Sequence, residues 1–259
     1  KQGDQLLHQI HDRIGLRSIQ VKEGLYVING VPIHPVARGM GGWTGARSWA
    51  NARKVTGPGY GDISRIHCNP LTINVVQAAE ESGHLIQLET SFTASGYQYP
   101  LDDPDFWENF RTQTSKLIDT YQNLASVVSL SLSNEVFLCG AERYPKSLDQ
   151  MAAIWRWSTD RAPDWPVVVN GDGDLRGRIA TSNLHYPRHL SRHPLLPMSA
   201  YWLEHDVEQK LDLYPGSFTW KQDQLLEIGE DQWNGFSAWP HGCAIMAGDQ
   251  AYANDEAAL

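Results

Sequence analysis

The stretch SVVSLSLSNE, residues 126–135, joins an apolar run to a polar end. Between Val127 and Leu132 every residue is apolar or small, which predicts a strand buried on both faces, as in a parallel sheet. The run ends in Asn134 and Glu135, an amide and a carboxylate that a hydrophobic core would reject. The sequence therefore predicts a buried parallel strand whose last residues take part in chemistry.

Helical and strand patterns alternate on both sides of this stretch. Helices are predicted over 71–82, ending at Gly83, over 104–123 and over 147–160. Further strands are predicted in the segments DISRIHC, HLIQLET, WPVVVN, RIATSNLHYP, DQLLEIGE and NGFSAWP. Such alternation predicts right-handed βαβ units and a parallel sheet, either open and doubly wound or closed into a (β/α)8 barrel.

The polar residues at the strand ends separate these two architectures. In an open sheet a site gathers at one switch point, whereas in a barrel every strand end faces the same mouth. Polar or aromatic residues follow at least six of the predicted strands: Arg65, His67 and Asn69; Glu89; Asn134 and Glu135; Asn170 and Asp172; His185 and Tyr186; Glu230; and Trp239. This distribution predicts a (β/α)8 TIM barrel. Residues 39–61 are Gly-rich and lack a helical period, so the barrel is expected to be irregular around its first helix.

The N-terminal part of the chain predicts antiparallel structure. Residues 16–33 alternate apolar and polar residues around Glu23-Gly24, and Asn29-Gly30 is a strong tight-turn signal. We therefore expect a linker and β-hairpin over residues 1–30, leading into a barrel over residues 31–259.

Composition narrows the range of partners. A net charge of −9 argues against nucleic acid or an anionic membrane, because both attract a basic face. Ten Trp and ten Tyr favour stacking on sugar rings, and no GxGxxG loop indicates a nucleotide, so no cofactor is expected. No apolar run reaches the roughly 18 residues of a membrane span.

The three cysteines, Cys68, Cys139 and Cys243, are odd in number and widely spaced, which predicts free thiols. Secretion or the periplasm is the favoured location, and the oligomeric state is left open.

Two of the predicted strands end in a glutamate, Glu135 after SLSN and Glu230 after LLEIG. Cleavage of a glycosidic bond needs two such carboxyl groups. One is protonated to serve the leaving oxygen, and the other is ionised to attack or stabilise the oxocarbenium-like centre. Glu227 is the alternative to Glu230, since the strand could end at either residue. Alternation places Leu226 and Ile228 on the face of Glu230, and the intervening glycine allows the backbone to turn.

Several motifs resemble the retaining glycoside hydrolases of clan A. The Asn-Glu pair that ends the fourth strand and the Glu that ends the seventh are similar to the catalytic positions of that clan. The segment RIGLRSIQVKEGLYVINGVPIHPVARG resembles the entry into the family 2 catalytic barrel of β-galactosidases, β-glucuronidases and β-mannosidases. SRIHCNP resembles the R-x-S-H-x-P segment of that family's second strand, with His and Asn shifted by one place.

This resemblance implies a retaining β-glycosidase that acts on an oligosaccharide or another glycoside without a cofactor. Glu135 would be its acid/base and Glu230 its nucleophile, while Asn134 would bind the sugar 2-hydroxyl. The resemblance further implies an aromatic platform and polar contacts to the sugar at Trp239, His185 and Tyr186.

The second strand carries Arg65, His67 and Asn69, which we interpret as a hydrogen-bond network holding the nucleophile. A metal site is the weaker interpretation, because a spacing of two residues on a strand is common, and no metal is expected. Glu89 is interpreted equally well as a structural carboxylate that bridges strand ends and as a substrate contact. Asn170 and Asp172 lie in NGDGD, which is first of all a turn signature.

Two rival functions remain open. The first is a non-catalytic or degenerate carbohydrate-binding barrel, against which the presence of both carboxylates argues. The second is a metal-dependent hydrolase built on His67, His185 and Asp172, which lacks an HxH or HExxH motif and ranks last.

Overall fold

The structure of the protein is a computed structural model. It describes residues 8–9, 15–33, 37–39, 63–68, 72–93, 99–137, 145–185 and 224–230. Predictions for Asn69, Cys139, Tyr186, Trp239 and Cys243 lie outside these residues, as does the predicted strand NGFSAWP.

A three-stranded antiparallel meander forms the N-terminal part, with strands β1 (Ile19–Lys22), β2 (Leu25–Ile28) and β3 (Val31–Ile33). Its two tight turns have positive φ at both central residues, 52° and 76° at Glu23-Gly24 and 51° and 79° at Asn29-Gly30. Positive φ at both positions is what a type I′ turn requires, and this turn matches the twist of the flanking strands. The predicted hairpin is confirmed, and a third strand extends it.

A five-stranded parallel sheet follows. Its order is β4 (Ala37–Gly39), β5 (Ile63–Arg65), β6 (Leu85–Glu89), β7 (Val127–Asn134) and β8 (Val167–Asn170). Strands β9 (Ser182–His185) and β10 (Leu226–Glu230) form a separate parallel pair. The predicted α/β class with a parallel sheet is thus confirmed. The part of the chain that the structure describes does not trace a closed barrel.

Three helices connect consecutive strands within the described residues: α1 (Ile73–Ser82), α2 (Pro104–Tyr121) and α3 (Pro145–Arg161). Helix α1 ends at Gly83, whose φ of 71° is left-handed and costs glycine little. Asp103 caps the N-terminus of helix α2, because its side chain accepts a hydrogen bond of 2.9 Å from the Asp105 N–H. No helix in these segments has the length and apolar character needed to cross a membrane.

Strand β7 lies at the centre of the core. All eight of its residues are buried, and Leu130 and Leu132 are fully so. Buried side chains of the three helices join them in one hydrophobic cluster that includes Val76, Ile118 and Met151. The core therefore fixes the strand whose end carries the Asn-Glu pair.

Candidate active site

The ends of β5, β6 and β7 are joined by one buried ion pair and its hydrogen bonds. Arg65 Nε donates to Glu89 Oε2 at 2.9 Å, and Arg65 Nη2 donates to Asn134 Oδ1. All three residues are buried, with Glu89 completely so. A buried charge is tolerated only when it is paired and hydrogen-bonded, and this network satisfies that condition. The sequence predicted a network at Arg65 that holds the nucleophile Glu230. The structure shows Arg65 joined to Glu89 and Asn134, and a contact with Glu230 stays a prediction.

Glu89 is the acceptor at the centre of this network. Besides Arg65 it accepts hydrogen bonds from Asn170 Nδ2 and, at 2.8 Å, from the backbone N–H of Cys68. Burial acts to raise the pKa of Glu89, but hydrogen bonding to His67 and the charge of Arg65 outweigh it and lower the pKa to about 2. Glu89 is therefore ionised at neutral pH, where it joins the strand ends.

His67 and Cys68 border Glu89 on the solvent side. The side chain of His67 is 50% exposed, and its Nδ1 lies 3.0 Å from Arg65 Nη2 and 3.5 Å from Glu89 Oε1. Contacts with Cys68 and Glu89 raise the pKa of His67 to about 10. Cys68 is a free thiol, as predicted. One ligand atom from each of these residues lies within 4.8 Å of the others, so His67, Cys68 and Glu89 could together hold a metal ion.

Glu135 follows β7 with a left-handed backbone, φ 53°. Its N–H donates to the carbonyl of Asn170 at 2.8 Å, which holds this conformation against the next strand. Its Oε1 lies 2.7 Å from His185 Nδ1, and the carboxylate side chain is 17% exposed while His185 is fully buried. The structure thus unites two predicted site residues, Glu135 and His185, in one hydrogen bond at the edge of solvent.

Two glycines make room for this pair. A Cβ at Gly171 would lie 2.8 Å from both Glu135 Cγ and His185 Nδ1, and a Cβ at Gly229 would lie 2.5 Å from His185 Nε2. Real Cβ atoms do not approach other atoms so closely, so both positions require glycine. The sequence analysis did not identify this steric role of the two glycines, because Gly171 lies in a turn signature and the close approach is visible only in three dimensions.

Asp172 holds the loop that carries Glu135. Its carboxylate accepts the backbone N–H groups of Val136 at 3.1 Å and Phe137 at 3.0 Å, and the hydroxyl of Ser133 at 3.4 Å. Sequence reasoning interpreted Asp172 mainly as a turn residue, and the structure assigns it contacts on both sides of Glu135.

Glu227 belongs to a second polar cluster. It accepts hydrogen bonds from Asn183 Nδ2 at 2.7 Å, from Gln87 Nε2 at 3.0 and 3.1 Å, and from Tyr26 Oη. Burial, followed by the charge of Glu227, raises the pKa of Tyr26 well above its ordinary value. Residues of the meander and of both parallel sheets therefore meet at this one carboxylate.

The strict alternation expected along β10 does not hold to its end. Ile228 pairs with Leu184 but Glu230 pairs with His185, so the register shifts at the intervening Gly229. An extra residue of this kind is a β-bulge, which changes the direction of the side chains that follow it. The backbone of Glu230 is thus placed beside His185, while its side chain lies outside the described part of the chain.

A cavity of about 540 Å³ runs along α2. It is mainly apolar and is bordered by rings that include Phe92, Tyr99, Phe106 and Phe110. Among the described residues that line it there is no carboxylate. The described carboxylates at the strand ends therefore do not line this cavity.

The geometry defines the class of protein: a parallel α/β fold with carboxylates and a histidine at the ends of its strands. No protein-family model and no curated protein matches the chain by sequence.

The fold is similar to that of solved β-glucuronidases. With the Ruminococcus gnavus β-glucuronidase the chain has 17% identity and a TM-score of 0.59, over 72% of this chain and 35% of the other. With a β-glucuronidase from an uncultured Clostridium sp. the values are 16% and 0.52, over 70% and 33%. The chain spans about a third of the length of these structures. At such identities the likeness is one of fold.

Proposed function

We propose that this chain is the barrel of a retaining glycoside hydrolase that cleaves β-glycosidic bonds. In this proposal Glu135 is the acid/base, Glu230 is the nucleophile, and no cofactor takes part. The barrel extends over residues 31–259, and residues 1–30 lead into it.

One observation carries the proposal. His185 contacts the Glu135 carboxylate through Nδ1 at 2.7 Å and is the register partner of Glu230 on the neighbouring strand. The two glutamates that the sequence singles out are thus each adjacent to the same buried histidine. Retaining glycosidases need their two carboxyl groups about 5–5.5 Å apart, and the proposal requires this separation between Glu135 and Glu230.

The polar cluster around Glu227 supports closure of the barrel. Gln87 belongs to the five-stranded sheet, whereas Asn183 and Glu227 belong to the two-stranded pair, yet Gln87 and Asn183 both donate to Glu227. Side chains from two sheets can meet in this way when the sheets curve towards each other, as they do around a barrel axis.

The reaction proceeds in two displacements. In the first, Glu230 attacks the anomeric carbon while Glu135 gives its proton to the leaving glycosidic oxygen. In the second, Glu135 takes a proton from water, which attacks the anomeric carbon and releases Glu230.

The hydrogen bond between Glu135 and His185 can form in both protonation states of Glu135. A protonated Glu135 donates to His185 Nδ1, and an ionised Glu135 accepts from the Nδ1–H tautomer. The buried pair of Arg65 and Glu89 holds Asn134 in place to bind the sugar 2-hydroxyl. We further propose that His67, Asn69, Tyr186 and Trp239 contact the glycoside.

Hydrolysis of a panel of nitrophenyl β-glycosides tests the proposal. The β-glucuronide comes first, because the solved neighbours bear the name β-glucuronidase. We expect turnover of at least one substrate with retention of configuration at the anomeric carbon. Proton NMR of the first-formed sugar measures this configuration. Sugar binding without any turnover would favour the non-catalytic carbohydrate-binding barrel instead, and a product of inverted configuration would exclude the double displacement.

Two variants assign the roles of the carboxylates. Glu230→Gln is expected to abolish turnover of every substrate, because no covalent intermediate can form. Glu135→Gln is expected to spare substrates whose leaving group needs no proton, such as dinitrophenyl glycosides. Glu227→Gln is the matched control, and loss of all turnover in this variant with a fully active Glu230→Gln would reverse the assignment.

A further inference from the structure

The cavity along α2 has the size and the lining of a pocket for a small molecule. Its volume of about 540 Å³ lies within the range of about 300–1,000 Å³ that is usual for such sites. Phe92 and Phe110 are buried in its wall, whereas Tyr99, Phe106 and Leu117 are only partly buried and present apolar surface to the cavity. Because apolar surface is unfavourable in water, an occupant that covers these side chains is stabilised.

The hydroxyl groups of the lining are already bonded to the backbone. Thr90, Thr114 and Thr120 each donate to a main-chain carbonyl, at 2.7, 2.9 and 2.7 Å. The Tyr99 hydroxyl donates to the Ser91 carbonyl at 3.4 Å. A sugar or a nucleotide needs free donors and acceptors around it, so this part of the cavity favours an apolar occupant.

The remaining polar side chains of the lining include a row along α2 that contains a positive charge. Asn109, Gln113 and Lys116 are exposed, and their spacing of four and three residues places them on one side of the helix. Lys116 is the one cation among the described residues that line the cavity, and none of these residues is acidic. Asp119, which follows on the same helix, is paired with Arg161. Lys116 can therefore pair with an anionic group of a ligand.

We propose that this cavity binds a free fatty acid, with the carboxylate at Lys116 and the alkyl chain along the rings of Tyr99 and Phe106. Lys116 and Phe106 are ten residues apart on α2, which corresponds to about 15 Å. An extended chain advances by about 1.2 Å per bond, so a chain of about 12 carbons spans this distance. The site is separate from the carboxylates at the strand ends, and it does not depend on the proposed glycosidase activity.

Isothermal titration calorimetry of the full chain with dodecanoate, below its micellar concentration, tests the site. We expect saturable binding of one dodecanoate per chain. Octanoate should bind at least about tenfold more weakly, because each CH₂ group removed costs about fourfold in affinity. Dodecyltrimethylammonium has the same chain length and the opposite charge, and it should bind more weakly than dodecanoate.

Two variants separate the carboxylate end of the site from the apolar end. Lys116→Gln should weaken the binding of dodecanoate by about fivefold without weakening that of dodecyltrimethylammonium. Phe106→Ala should weaken the binding of both ligands, because it removes apolar surface that either chain covers. Lys146→Gln is the matched control, since Lys146 is exposed on α3 and does not line the cavity, and this variant should keep the wild-type affinities.

Three results would overturn the proposal. The first is a wild-type chain that binds no dodecanoate at millimolar concentration, or that takes up several molecules without saturation. The second is wild-type affinity for dodecanoate in Lys116→Gln. The third is an equal loss of affinity in Lys116→Gln and Lys146→Gln, which would assign the effect to net charge.

Discussion

Gly171 lies against the two side chains on which the proposed chemistry depends. A methyl group there would lie 2.8 Å from Glu135 Cγ and from His185 Nδ1, so Gly171→Ala must displace at least one of them. Because misplacement of a reacting group by about 1 Å can cost a hundredfold in rate, we expect kcat to fall by about that factor. Steady-state kinetics on the best substrate of the glycoside panel measures it.

Gly30 provides the control for this substitution. Its φ of 79° equals that of Gly171, but nothing lies within 4 Å of a Cβ placed on it. Gly30→Ala should therefore cost about 1–2 kcal/mol through its left-handed backbone alone, without a change in kcat. Equal losses of kcat in the two variants would show that backbone strain, and not contact with Glu135 and His185, explains the effect.

Glu89 gives a second prediction for a single residue, on the pH dependence of stability. Its folded pKa of about 2 lies below the ordinary value of 4.5, so its ionised form stabilises the fold above pH 4.5. This contribution is lost as the pH falls from 4.5 towards 2, and linkage sets it at about 3 kcal/mol. Urea unfolding between pH 7 and pH 3 should show about 2 kcal/mol of this loss in the wild type and a flatter profile in Glu89→Gln.

Glu108→Gln is the matched control for that measurement, since Glu108 is exposed on α2. It should keep the wild-type pH profile, whereas Glu89→Gln should also lose stability at pH 7 because the Arg65 charge is left buried and unpaired. An unchanged pH profile in Glu89→Gln would contradict the assigned ionisation.

At the scale of elements, Asp172 connects the turn after β8 to the loop after β7. We expect Asp172→Asn to lower stability by about 1–3 kcal/mol, because one of the two backbone N–H groups then faces an amide donor. We also expect a lower kcat with a smaller change in KM, because the loop carries Glu135. In a Glu135→Gln background the same substitution should lower kcat little further, and a purely structural role would not produce this coupling.

Asp174→Asn is the control from the same turn. Asp174 Oδ1 accepts the N–H of Gly177 at 2.8 Å, and an asparagine oxygen can do the same. We expect near wild-type stability and kcat. Additive effects of Asp172→Asn and Glu135→Gln on kcat would remove Asp172 from the positioning of Glu135.

The elements themselves were largely predictable. Helix α1 stops at Gly83 as its sequence indicates, and β7 is recognisable as a buried strand because apolar and small residues fill every position. The bulge before Glu230 was not predictable, because it depends on how Gly229 fits against Asn183 and His185 of the neighbouring strand. Local sequence determines where an element begins and ends, whereas contacts between elements determine such shifts.

The same division applies to the candidate site. Asn134 and Glu135 could be predicted, because polar residues directly after a buried run have no place in a core. Two sets of hydrogen bonds join residues that are 35 to 50 positions apart: the bond between Glu135 and His185, and the bonds from the loop N–H groups to the Asp172 carboxylate. No local pattern encodes such contacts, and they arise only when the parallel strands bring their ends together.

At the scale of the whole molecule, the N-terminal meander is tied to the parallel sheets through Glu227. Tyr26 lies on β2 and donates to this carboxylate, which Gln87 of β6 and Asn183 of β9 also reach. The sequence predicted a hairpin and a parallel α/β fold separately. Their connection was not predictable, because Tyr26 and Glu227 are 201 residues apart.

Tyr26→Phe tests this connection. The variant removes one donor from Glu227 and keeps the ring, so we expect a loss of about 1–3 kcal/mol in the free energy of unfolding, measured in urea at pH 7.

The raised pKa of Tyr26 means that its neutral form stabilises the fold fully below pH 10, and that this contribution is lost as the pH rises above 10. Part of the wild-type loss of stability above pH 10 should therefore disappear in Tyr26→Phe. Tyr99→Phe is the control, because among the described residues the Tyr99 hydroxyl has one hydrogen bond, a long one of 3.4 Å to the Ser91 carbonyl. This variant should preserve both the stability and the alkaline slope. Hydrogen exchange locates the effect: faster exchange in Tyr26→Phe both over residues 19–33 and over β10 is expected if the carboxylate joins the meander to the sheets. Faster exchange confined to residues 19–33 would mean that the meander is stabilised on its own and that Glu227 serves only the sheets.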